Sequence, residues 1–227
     1  MKMLSGLMMV MLGLGTSFSG AAQTSSSPAT AAAGPARKVK GQVLTSPATP
    51  AVRLEFGKDF KYVGHQEFIL YDVAHAEQHF FVDADKDGRI KRFYWVQFEG
   101  YLPGNTHTYR YKSNQTVDIG GLAFFADAAA RNMKINVSRP DSDGSRARAF
   151  LESKGYRMAS DEMLWQRLVH LVDESRRDEL MIIYMEDLTP TGLRASDLWR
   201  GGRAESQWDD MAKALLDRAV KSLKLRR

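Results

Sequence analysis

The residues best equipped for chemistry cluster between positions 75 and 99. His75 and His79 flank Glu77, and Phe93, Trp95, Gln97 and Glu99 follow at alternate positions. Successive side chains on a strand point to opposite faces, so each set shares one face of its own strand. If Val82 pairs with Ile90 and both enter the core, His79 meets Phe93, Glu77 meets Trp95 and His75 meets Gln97. Imidazoles, carboxylates, an amide and aromatic rings then line one surface. Such a mixture of apolar wall and a few polar groups suits a ligand pocket. The expected ligand-binding set is therefore His75, Glu77, His79, Phe93, Trp95, Gln97 and Glu99. Desolvation beside Trp95 would raise a carboxyl pKa, which makes Glu77 or Glu99, partnered by His79, the candidates for general acid–base catalysis. His75 and His79 cannot hold one metal ion together, because four residues along a strand separate them by about 13 Å.

A second constellation is Asp83, Asp85 and Asp87, closed by Gly88. Carboxylates at alternate positions suit the oxygen shell of Ca²⁺, and the glycine permits a sharp turn. The twelfth loop position is Tyr94, where an EF-hand needs a bidentate Glu, and the following residues read as strand. An EF-hand is excluded. A low-affinity Ca²⁺ site in an exposed turn remains as the metal hypothesis, against the simpler reading that Asp and Gly are turn residues. No other cofactor is expected. His170, with Tyr184 and Glu186, reads as a core histidine. Gly-rich phosphate loops, serine elbows and His-Glu-x-x-His helices are absent from the sequence.

Composition narrows the classes further. The chain has 227 residues and no cysteine, which excludes thiol catalysis, zinc–thiolate sites and disulfide staples. Of the net charge of +5, residues 1–50 contribute four basic groups and no acid. The remainder is almost balanced, so nothing favours nucleic acid as a partner. The expected partner is a small molecule or another protein. Lys2, an apolar run to Leu14 and small residues through Ala22 form a secretory signal peptide, cut after Ala21 or Ala22. The expected location is therefore periplasmic or secreted. Beyond it no apolar run approaches the roughly 18 residues of a membrane span, so the mature chain is expected to lack a transmembrane segment. Residues 23–50, rich in Ala, Ser, Thr and Pro, read as a disordered tether, and residues 51–227 as one domain.

Within that domain, β-rich stretches at 52–56, 67–73, 75–83 and 89–101 come first, the last two forming a hairpin about the Asp-rich turn. Leu122, Phe124, Phe125, Ala128 and Ala129 predict a helix over 121–133. A short strand at 134–137 follows, then a helix at 145–154 capped by Asp143 and ended by Gly155. A second hairpin pairs 165–173 with 179–187, although the first arm also fits a helical period. Ser206, with Asp209 in capping-box spacing, opens a helix whose apolar stripe runs from Trp208 to Leu223. The expectation is an α+β fold: an antiparallel sheet built from two hairpins, with helices packed on one face and a long C-terminal helix.

Three functions fit these features. The first is an exported binding module for an apolar or amphipathic ligand. The second is a hydrolase or lyase using a Glu/His pair on the first hairpin. The third is a structural or interaction protein without a small-molecule site.

Overall fold

Alternating apolar residues dominate the chain, and antiparallel strands dominate the fold. The computed structural model describes residues 37–113, 115–134 and 139–227. The expected leader and residues 23–36 of the expected tether lie outside the described residues, as does most of the expected strand at 134–137. Twelve strands form two sheets among the described residues. The smaller has the order β1 (Lys38–Lys40), β2 (Val43–Ser46), β3 (Val52–Phe56) and β12 (Leu223–Arg226). The larger runs β4 (Lys61–Leu70), β5 (Ala74–Ala84), β6 (Arg89–Tyr101), β11 (Asp178–Asp187), β10 (Glu162–Leu171), β8 (Leu122–Asn132) and β7 (Gln115–Ile119). A two-residue strand, β9 (Arg157–Met158), adds to the start of β6 in parallel.

Strands β5, β6, β10 and β11 are apolar on both faces, so both faces need covering. On one, Tyr94, Val96, Ile182 and Leu168 pack with Leu54 and Phe56 of the smaller sheet. Leu215 and Ala219 of helix α3 (Trp208–Lys221) complete that core, and the short helix α2 (Ala195–Leu198) adjoins it. On the other, Phe93, Trp95, Met181 and Ile183 pack with Ala147 and Leu151 of helix α1 (Asp143–Ser153). The helices therefore occupy both faces instead of one.

Further departures arise from burial, strand pairing and capping. Residues 38–46, expected within the tether, are strands because Leu44 and Val52 bury into the first core. The expected helix at 121–133 is β8. Leu122, Phe124 and Ala126 point alternately inward, the strand pairs with β7 and β10, and this tertiary pairing overrides the helix propensity of alanine. Gly120 and Gly121 have φ of 61° and 81° and make the two-residue turn that a tight hairpin favours. The final helix ends at Lys221, and Leu223 and Leu225 enter the smaller sheet beside β3. Nor does Ser206 cap α3, whose N-cap is Gln207 without a side-chain bond; α1 is capped by Ser142, not Asp143.

The Asp-rich turn is held by its own side chains. Asp85 Oδ1 accepts from the amides of Asp87 and Arg89, both at 2.9 Å. Gly88 has φ of 74°, and a Cβ there would stand 2.3 Å from the carbonyl oxygen of Gly155. Gly88→Ala is expected to cost about 2 kcal/mol through backbone strain and this collision, as a lowered urea midpoint at unchanged m value.

Candidate functional site

The expected site set is divided by the sheet. In the β5–β6 pairing Val82 faces Phe93, Phe80 faces Trp95, His79 faces Val96 and Glu77 faces Phe98. Relative to the expected alignment this is a slip of three residues, and an odd slip transfers one strand's side chains to the opposite face. His75, Glu77 and His79 lie on the face that meets the smaller sheet. Phe93, Trp95, Gln97 and Glu99 lie on the face beneath α1. The seven residues do not share a wall.

The first group is tied up in a buried network. Glu77 Oε1 is 2.7 Å from His79 Nε2, and its Oε2 accepts from Arg37 Nη1. The other nitrogen of His79, Nδ1, is 3.1 Å from the Tyr62 hydroxyl. Glu77 and His79 are 5% and 2% exposed, and every polar atom of the pair already has a partner. Burial acts to raise the Glu77 pKa, but His79 and Arg37 outweigh it and hold the carboxyl below its usual range. His75 stands at the margin, with Nε2 3.3 Å from Glu67 Oε2. In the turn, Asp83 is bound to Arg92 Nε at 2.7 Å, so its carboxylate faces a cation and Asp85 faces the turn amides. The Asp83 and Asp85 carboxylates thus serve different partners.

Phe93 and Trp95 of the second group border a cavity of about 410 Å³ between α1 and the sheet; Gln97 and Glu99 do not line it. Its size falls within the roughly 300–1,000 Å³ of small-molecule pockets. Phe93 and Trp95 form the floor with Met181, Ile183 and Met185 of β11, and Ala147 and Leu151 of α1 form the roof. Met133 and Met158 close one side, adding flexible, polarisable surface. Trp165 and Arg167 of β10, Arg131 of β8, and Asp143, Arg148 and Glu152 of α1 are among the rest of the wall.

Beside this cavity lies a run of buried polar side chains. Gln66 donates to Gln78 at 2.7 Å, Gln78 donates to Gln97 at 2.8 Å, and Gln97 donates to Glu99. The Trp95 indole N–H also donates to Gln97 Oε1, at 3.1 Å. Glu99 stands opposite Glu179 in the β6–β11 register. Each carboxylate accepts from a phenol: Tyr109 reaches Glu99 Oε1 at 2.8 Å, and Tyr111 reaches Glu179. The segment carrying these tyrosines is a loop. Arg176 and Arg177 hold it: Arg176 Nε donates to the Tyr109 carbonyl at 2.8 Å and Arg177 Nη2 to that of Leu102 at 3.0 Å. Burial, reinforced by Glu99 and Asp143, pushes the Glu179 carboxyl up to about 8. Glu99 and Asp143 are also raised, chiefly by burial. Displaced carboxyls beside a cavity mark a candidate site.

No family model, curated protein or solved structure matches this chain.

Sequence reading singles out Phe93, Trp95 and Glu99 but misses Arg131, Trp165, Arg167 and the methionines. Their one available signal was a pair of arginines inside otherwise apolar, strand-forming stretches. His170, read as a core residue, bonds through Nδ1 to the Ala123 carbonyl at 3.0 Å. No helix among the described residues is long and apolar enough to cross a membrane.

Proposed function

We propose that this protein is an exported binding module whose ligand, apolar or amphipathic, places its apolar part in the cavity beneath α1. The carrying observation is the cavity itself: about 410 Å³ walled by Trp95, Phe93, Met181 and Met185, with a small number of polar groups at its side. A space of this kind loses dispersion contacts unless something fills it. The methionine side chains let the wall adapt to a flexible guest. The reading for export rests on the sequence of residues 1–22.

The test uses a neutral apolar dye, Nile red, titrated into the full chain. Saturable binding with blue-shifted emission is expected. Ala147 is 4% exposed and lies in the roof. Ala147→Phe directs a ring into the space and is expected to weaken binding by about tenfold or more, with the thermal midpoint kept within a few degrees. Dye affinity unchanged in a folded Ala147→Phe, or no saturable binding by the parent, overturns the proposal.

A further inference from the structure

Arg131 is an unusual cation. It sits on β8 at the cavity wall, and burial lowers its pKa, as does the charge of Arg167. Its guanidinium stacks over the Trp165 ring with its carbon 4.3 Å from the centroid, and that of Arg167 lies 5.3 Å from the same ring. Arg167 Nη2 holds Asp127 at 2.7 Å. The charges nearest Arg131 are thus Arg167, of like sign, and Asp127, already engaged. Two guanidiniums share one carboxylate.

The hydrogen bonding shows the same deficit. The Nε atoms of both Arg131 and Arg167 are buried with no acceptor among the described residues. An unpartnered buried donor costs free energy, and more when it belongs to a charged group. The residues outside the described set are 1–36, 114 and 135–138, and none of them is Asp or Glu. Asp143 and Glu152 line the same cavity, but among the described residues neither forms an ion pair with Arg131 or Arg167. Glu179, Glu99 and Asp143, nearer Arg167 than Arg131, are all raised by burial, and none of them is among the charges that act on Arg131.

We infer that the ligand is a single-chain amphiphile with an anionic carboxylate head, bound with its chain in the cavity and its head on Arg131 and Arg167. This rests on the cavity reading and adds the head group to it. A carboxylate supplies both the missing charge and the missing acceptors, and guanidinium is the side chain whose planar fork matches it. The stacking on Trp165 fixes the fork before the ligand arrives, so less freedom is lost on binding.

Three twelve-carbon probes with different heads separate the possibilities: dodecanoate, 1-dodecanol and dodecyltrimethylammonium, each below its micelle concentration, measured by displacement of Nile red from the full chain at neutral pH. Dodecanoate is expected to bind at least about tenfold more tightly than dodecanol. Arg131→Met, which keeps the apolar stem on Trp165, is expected to bring the two to parity. Arg131→Lys, which restores charge without the fork, is expected to recover part of the preference. Parity in the parent protein, a preference that survives Arg131→Met, or tighter binding of the ammonium probe overturns the head-group inference and leaves the cavity reading standing. Failure of all three to displace the dye, or to bind at all, overturns both.

Discussion

Arg37→Ala is expected to destabilise the protein by about 3–5 kcal/mol, the usual result of breaking a buried ion pair from one side. The side chains of Arg37 and Glu77 are only 5% and 7% exposed. Arg37 also donates from Nε to Ser46 Oγ at 3.2 Å and from Nη2 to the Thr49 carbonyl at 3.2 Å, and its carbon lies 3.7 Å from the Phe98 ring centroid. One guanidinium thus joins the strand ahead of β3 to the centre of the larger sheet. Without it Glu77 keeps only His79 and must either protonate or hold a buried charge. Urea unfolding checks the size of the loss. The double variant Arg37→Met, Glu77→Gln is expected to recover most of it, because neither charge is then stranded. The same pair sets a pH dependence. The folded carboxyl of Glu77 is held below the ordinary 4.5, so its contribution is complete above that value and drains away as acid titrates the folded form. A variant with Arg37→Met, Glu77→Gln that keeps the parent's full acid sensitivity would show that the loss originates elsewhere.

Glu179→Gln is expected to act in the opposite direction and at the opposite end of the pH scale. Glu179 is 3% exposed and its folded pKa is about 8, against an ordinary 4.5. A folded pKa above the unfolded one means that the native state holds the proton more tightly. Stability from this group is therefore complete below about pH 4.5 and is lost as pH rises through 8. At roughly 1.4 kcal/mol per unit, the loss is on the order of several kcal/mol. The amide substitute presents the same acceptor to Tyr111 and cannot ionise. Glu179→Gln should match the parent near pH 5 and exceed it clearly near pH 9, as read by urea midpoints at both values. A smaller slope should remain, since Glu99 and Asp143 are raised by the same burial. Parallel pH profiles for the two proteins would remove Glu179 from the explanation.

How much of this was legible in the sequence depends on the kind of signal. The alternation of Tyr94, Val96 and Phe98 marks one buried face of β6, and the three pack in one core, whereas Ile90, beyond the irregularity near the turn, packs in the other. The facing alignment of β5 did not follow from it, because β5 is itself apolar on both sides: Phe80 and Val82 serve one core and Phe81 the other. A shift in the pairing between Asp83 and Ala84, at the turn, fixes the parity, and composition carries no trace of it. Ala-rich β8 was misread because small residues serve two purposes. They favour helices, and they also let other elements approach a sheet; the Trp199 indole N–H reaches the Ala130 carbonyl at 2.9 Å. Of the site, the aromatic floor was foreseeable from β6 alone. The remainder was not, since Met133, Met158 and Met181 come from separate strands and turns that only the tertiary fold assembles.

The last strand in chain order, β12, lies against β3, among the first. A polypeptide emerging from a ribosome or threading a translocation channel N-terminus first leaves that edge of β3 bare until residues 223–226 have passed. Completion of the smaller sheet thus waits on a strand about 170 residues further along the chain than its partner. A nascent chain stalled short of it offers an open backbone edge to any chaperone that works by strand donation.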